Sequence, residues 1–235
     1  MTSSWIMWSI ISLIAGSLVW IVGDALIVGF TRPRKNGDYD DFIDFMGNDN
    51  FAYQLSGSEP RLRAGALIAN FSVPLLIFSA LAQWALLKDS LVGQVAVVLY
   101  TLSFVYAPLA HAAFYPLGEA SKLANSAFRA EHTAAKAERA HAQNMYRFLT
   151  WAWTPTITLM LIGGILIAIT IALGYTAFPR WAALFTPPVM TVVASQISRV
   201  PYPGRPALDG AAFNIGALVW AISMAVLSQF YPLSL

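Results

Sequence analysis

Six long apolar runs, separated by loops that alternate between basic and nearly uncharged, leave this chain few folds to choose from. The runs cover about 5–30, 64–87, 91–115, 149–175, 181–198 and 210–230. A helix of roughly 20 apolar residues is long enough to cross hydrocarbon, and it satisfies its backbone polar groups internally. The expectation is an all-α, polytopic membrane bundle of six transmembrane helices. With 57% hydrophobic and 11% charged residues in 235, the chain has no stretch left for a separate soluble domain. Residues 1–235 read as a single membrane domain.

The basic residues set the direction. Of 14 Lys and Arg, only Lys88 and Arg180 fall in the second and fourth loops; the others sit in the first, third and fifth. Basic residues in short loops stay cytoplasmic, which places both termini outside and the long loops 31–63 and 119–148 inside. The expected location is the inner (plasma) membrane. The start Met-Thr-Ser-Ser-Trp lacks the basic segment of a cleavable signal, so the first run is expected to be retained. Trp5, Trp8, Tyr175, Trp181 and Tyr231 then mark an outer aromatic belt, and Trp151 and Trp153 an inner one.

A net charge of +2 gives no case for nucleic acid, and the absence of cysteine excludes thiol chemistry, disulfides and Cys-ligated metal. His132 and His141 are nine apart, which is not metal-ligand spacing on a helix, so no metal site is expected. No nucleophile elbow, zincin motif, P-loop or dinucleotide fingerprint occurs. Any cofactor stays unknown.

Several runs carry helix breakers: Pro74, Pro108, Pro155 and the pair Pro187–Pro188, the last expected to kink or unwind the fifth run. In the first long loop, Phe42, Phe45 and Met46 are spaced for one face of a short interfacial helix. The neighbouring Asp40, Asp41 and Asp44 imitate a diphosphate-binding acidic motif but read as a solvated turn. Residues 119–148 are rich in Ala, Glu, Lys and Arg without Gly or Pro, and should be helical. Arg129, His132, Lys136 and Arg139 would line one face there, suited to anionic lipid headgroups.

Ionisable groups inside a span are costly unless paired or facing a polar cavity. Asp24 lies about 9 Å from the inner end of the first run at 1.5 Å per residue. Gly23 and Gly16 would let another helix approach beside it. His111 sits at a similar depth in the third run. A helix continued through it would place His111, Tyr115, Glu119 and Lys122 on one face. Asn70, Asn214 and Asp209 join the same inner third. The expectation is a polar pocket open to the cytoplasm, with Asp24, His111, Tyr115 and Glu119 as candidate catalytic groups. Asn70, Asn214 and Lys122 are candidate ligand contacts. The competing expectation is a structural Asp24–His111 pair holding two helices in register.

The Trp20-Ile-Val-Gly23-Asp24 segment and Pro108-Leu-Ala-His111-Ala-Ala-Phe114, with the later Gly118-Glu119, resemble an uncharacterised family of bacterial multipass membrane proteins. The Gly-Asp pair and His111-x-x-x-Tyr115 are also similar to the lysoplasmalogenase-like membrane family. That second resemblance implies hydrolysis of ether-linked lysophospholipids by intramembrane acidic groups. This chain departs from it in having six runs where that family has about eight, and in its long cytoplasmic loops.

Three functions compete: an acid/base enzyme acting on a lipid or isoprenoid in the inner leaflet, with His111 as general base oriented by Asp24; a scaffold or accessory protein docking a partner through its inner loops; and a small proton-coupled transporter. The expected partners are membrane lipids, with a lipid-like substrate and no nucleic acid; the oligomeric state is left open. Polar groups in the outer half are few, Gln94 among them, which counts against a conduit through the bilayer.

Overall fold

The computed structural model describes residues 3–28, 37, 39–198, 200, 208 and 210–235. Arg32, Arg34, Lys35, Arg199, Arg205 and Asp209 lie outside the described residues, as do the topological inferences drawn from them. The described residues form helices and turns, with no strand among them.

Helix α1 (Ser4–Ile27) begins at Ser3, whose hydroxyl accepts the Ile6 N–H at 3.4 Å. The second apolar run is not one smooth helix but three pieces, α3 (Glu59–Phe71), α4 (Val73–Phe78) and α5 (Ala80–Leu87), following the short α2 (Asp40–Met46) in the first long loop. The two breaks have separate causes. At the first, Pro74 has no N–H for the Asn70 carbonyl. At the second, Ser9 of α1 inserts its hydroxyl into the ladder. It donates to the Phe78 carbonyl at 2.9 Å and accepts the Ala82 N–H at 3.0 Å, replacing the direct bond between them. Ser12 donates to the Leu75 carbonyl at 2.9 Å, so α1 is stitched to the broken helix at two levels.

Helix α6 (Leu91–Ala112) continues with a break at Ala113 into α7 (Phe114–Arg129). Pro116 again supplies the cause, because it cannot donate to the Ala112 carbonyl. After a turn at 130–134, where Glu131 takes φ 50°, helix α8 (Ala135–Ala172) runs back for 38 residues. At 1.5 Å per residue that is about 57 Å, well beyond a hydrocarbon core of about 30 Å. So α7 and the first third of α8 form an antiparallel hairpin that outreaches the apolar runs. Residues 119–148 are helical as expected, but in two helices. Arg129 ends α7, His132 lies in the turn, and Lys136 and Arg139 open α8, so the expected single basic face does not form.

Helix α2 also forms as its spacing suggests. Its apolar face is covered by protein, not left for headgroups: Phe42 and Met46 are buried with Phe51, Leu117, Ala124 and Ala142 against the hairpin. Phe45 stacks on Phe128 at 4.7 Å, and the Arg139 guanidinium sits 5.2 Å from the Phe45 ring. Of the three acids read as a solvated turn, Asp41 and Asp44 face outward from α2, while Asp40 is half-buried with one carboxylate oxygen enclosed.

The fifth apolar run resolves into a 3-10 segment, Arg180–Phe185, an extended Thr186, and α9 (Pro187–Ile197) with both prolines in its first turn. Proline is tolerated there because those N–H groups have no intrahelical partner. Helix α10 (Ala212–Phe230) closes the bundle. Among the described residues, five helical stretches are long and apolar enough to cross a membrane: 4–27, 59–87, 91–129, 135–172 and 212–230. These mark a membrane protein. Near one end of the bundle, Lys88 donates to the Ser234 carbonyl at 3.0 Å, and the Phe178 and Tyr231 rings lie 6.4 Å apart. Near the other, Gly210 lies against Val28, whose side chain would sit 3.4 Å from an added Cβ.

The main core lies toward the first of these ends, built from Ile10, Leu13, Leu86, Tyr100, Ile167 and Trp220 among others. Trp5, Trp8, Trp151 and Trp181 are exposed, as belt residues should be. Trp153 is not: it turns inward, its ring 6.1 Å from Phe114.

Candidate functional site

The site starts from glycine. Gly23 of α1 and Gly65 of α3 face each other so closely that a Cβ on Gly23 would stand 3.1 Å from the Gly65 carbonyl oxygen and 3.2 Å from His111 Cε1. Only the missing side chains let α1, α3 and α6 meet there. The next residue, Asp24, is thereby carried into the seam between α6 and α10.

There its carboxylate bridges two helices. Asn214 Nδ2 donates to Asp24 Oδ2 at 2.6 Å, and His111 Nε2 lies 3.3 Å from Asp24 Oδ1. With Asp24 ionised, the geometry suits the Nε2–H tautomer of His111. The imidazole is fully buried, edge-on to Trp20 at 4.9 Å and to Phe114 at 6.0 Å. Asp24 keeps 7% of its surface exposed. Three of the residues singled out in the sequence, from three different helices, are thus brought together.

The others are not. Tyr115 donates to Glu59 Oε1 at 3.0 Å and accepts from Arg63 at 3.4 Å, while Arg63 pairs with Glu59. Glu119 accepts from Lys122 at 3.0 Å. The shared face with His111 fails because the helix breaks at Ala113, between the imidazole and the phenol. Asn70 is half-buried and its Oδ1 has no hydrogen-bond partner; it makes no bond to Asp24. Among the described residues, no three His, Asp or Glu side chains gather closely enough to hold a metal ion.

Two cavities flank the cluster. A small one of about 20 Å³ touches Asp24 and Asn214 together with Trp20, Trp153, Thr156 and Gly210. A larger one of about 440 Å³ has Trp153 and Gly210 in its wall as well. Its other lining divides by chemistry: Asn50, Tyr53, Tyr146 and Thr150 are polar, while Val28, Phe114, Leu117 and Leu149 are apolar. Asn50 donates to the Tyr146 hydroxyl at 2.7 Å, leaving that hydroxyl's own proton available.

Sequence reasoning missed these lining groups. Asn50, Tyr146 and Thr150 belong to loop and hairpin segments where polar residues are ordinary, and only packing joins them. It also missed Ser9 and the fully buried Gln83, whose Nε2 lies 3.5 Å from Ser79 Oγ toward the opposite end of the bundle. That end is therefore less apolar inside than the sequence suggests.

The fold and the cluster define a class: an all-helical, multispan membrane protein with a buried carboxylate and imidazole and a half-buried carboxamide at one end of its bundle. Within that class the chain belongs to the Family of unknown function (DUF6796), whose model matches residues 1–229. No curated protein and no solved structure matches the chain.

Proposed function

We propose that this is a six-crossing protein of the inner (plasma) membrane, with both termini outside, that takes a lipid-like, amphipathic molecule into the 440 Å³ cavity. The crossing number rests on the broken fifth segment. Six residues of 3-10 helix and eleven of α-helix cover about 28 Å at about 2.0 and 1.5 Å per residue. That is close to the depth of the hydrocarbon, which supports a further crossing between the Phe178 end of the bundle and the Gly210 end. The basic loops support the cytoplasmic placement of the latter end.

The observation that carries the ligand reading is the cavity's position and lining. It sits where α1 ends, where α6 breaks into α7 and before α10 begins, so its polar and apolar walls meet at the inner boundary of the apolar runs. Such a divided wall suits a molecule with a polar head and a hydrocarbon tail. The test is photolabelling in nanodiscs with a bifunctional lysophospholipid, read by peptide mapping. Labelling should map to residues 146–153 and be lost in Thr150→Trp, which fills the cavity. Labelling that is unchanged in Thr150→Trp would overturn the reading.

A hydrolase built on Asp24 and His111, as the lysoplasmalogenase-like motifs imply, is the finer version of this reading. It requires Trp153 to move, because the imidazole is enclosed and Tyr115 is engaged with Glu59. Turnover of a lysolipid by the wild type and its loss in Asp24→Asn would support it.

The full burial of His111 favours a second reading, in which the cluster only locks α1, α6 and α10 together. Asp24→Asn would then lower stability without changing ligand labelling.

A further inference from the structure

The small cavity beside Asp24 holds more polar chemistry than the Asp24–Asn214–His111 bonds consume. Thr156 is 1% exposed, and its hydroxyl has no hydrogen-bond partner. Thr150, Thr154 and Thr170 of α8 each donate to the carbonyl four residues earlier, at 2.9, 2.8 and 2.7 Å, and Thr158, which does not, is exposed to its surroundings. Thr156 makes no such bond. Trp20, at 3% exposed, likewise leaves its indole N–H without an acceptor. Both residues line the same cavity of about 20 Å³ with Asp24 and Asn214. Two buried polar groups left without partners would each keep an uncompensated desolvation penalty.

We infer that this cavity is a binding site for a single water molecule that hydrates the Asp24 carboxylate. Three features fit. The volume suits one water and no larger ligand, since a water needs at least about 10–15 Å³. The wall offers three partners of complementary type: the Trp20 N–H donates to the water, the Asp24 carboxylate accepts from it, and the Thr156 hydroxyl takes either role. The carboxylate also has acceptor capacity to spare, because His111 and Asn214 engage one lone pair on each oxygen. The water completes the hydrogen bonding of a carboxyl group that α1 carries into the apolar bundle, where an unpartnered polar atom is penalised. This site does not depend on the ligand reading of the larger cavity.

The experiment is infrared spectroscopy of the full-length protein in nanodiscs, comparing ordinary water with ¹⁸O water, alongside a high-resolution density map of the wild type. A narrow O–H stretching band from a strongly bonded water should shift with ¹⁸O. It should be lost in Thr156→Val, which keeps the side-chain shape, and retained in Thr156→Ser. The map should show one peak within hydrogen-bond distance of Asp24 and Thr156. Absence of that peak in the wild type, or an ¹⁸O-sensitive band that survives in both Thr156→Val and Trp20→Phe, would overturn the assignment. A peak that vanishes when sodium is replaced by choline would also overturn it, in favour of a cation.

Discussion

Replacing Gly65 by valine should separate α1 from α3 and loosen the Asp24 cluster. A Cβ at this position would lie 2.8 Å from Ile27 Cγ1, 2.9 Å from the Gly23 carbonyl oxygen and 2.9 Å from Leu26 Cβ. Ordinary contact begins at 3.4 Å, so the helices must part by about half an ångström. Ile27 can rotate away, but a backbone carbonyl and a first side-chain carbon can move only with α1 itself. Overpacking of this kind costs about 1–3 kcal/mol, and valine recovers only a few tenths through its better helix propensity than glycine. The 3.3 Å contact between Asp24 and His111 has little slack to absorb the shift. The net expectation is a loss of about 1–3 kcal/mol. Equilibrium unfolding in mixed micelles, or steric trapping in bicelles, would measure it, with Gly65→Ala falling between wild type and valine. Valine tolerated with no loss of stability would refute the close apposition of the two helices, and with it the reason Asp24 reaches His111.

Phe42→Ala should cost about 3–5 kcal/mol, as expected for a buried phenylalanine, and release α2 from the hairpin. Limited proteolysis within residues 37–48 should accelerate, and an unchanged cleavage pattern would refute the docking. Because the chain has no cysteine, single introduced cysteines report topology directly. Ser3→Cys, Ala177→Cys and Ser234→Cys should react with an impermeant reagent from outside, and Thr133→Cys only after the membrane is opened. A C-terminal cysteine protected like Thr133→Cys would leave five crossings in place of six. Trp153→Ala should join the two cavities and hasten hydrogen exchange at the Trp20 indole, read by NMR, since Trp153 stands in both walls. Exchange at the wild-type rate would mean that water reaches Asp24 by another route.

Much of the architecture was legible because the membrane imposes a single strong rule. Apolar length alone marks α1, α6 and α10 with boundaries within a few residues of those observed, while the second run is broken into three helices and α8 starts 14 residues before the run that announced it; the loop charges are the ground for the proposed orientation. The helical character of 119–148 followed from propensity, and that of α2 from spacing. Pro74 and the Pro187–Pro188 pair announced the breaks at Ser72 and Thr186, but Pro108 and Pro155, read as breakers in the same way, lie inside the continuous helices α6 and α8. The break at Ser79 was not legible, because its cause is Ser9, a distant residue on α1. The candidate site divided along the same line. Asp24, His111 and Asn214 could be nominated because a polar group at that depth needs a partner. Tyr115 and Glu119 were nominated by helical register, and Pro116 ended that register before it reached them.

Three properties can be read along the chain without any fold: its apolar runs suit a bilayer, the basic residues gather in alternate loops, and a carboxylate and an imidazole lie at similar depths. Each is one-dimensional, set by the energy of a segment in lipid or water. Packing in three dimensions was needed to settle which buried groups touch, that Trp153 faces a cavity and not the membrane surface, and that Tyr115 turns to Glu59. These outcomes depend on angles and separations between helices, and the side chains that set them, Gly23, Gly65 and Ser9 above all, act on neighbours far away in the chain.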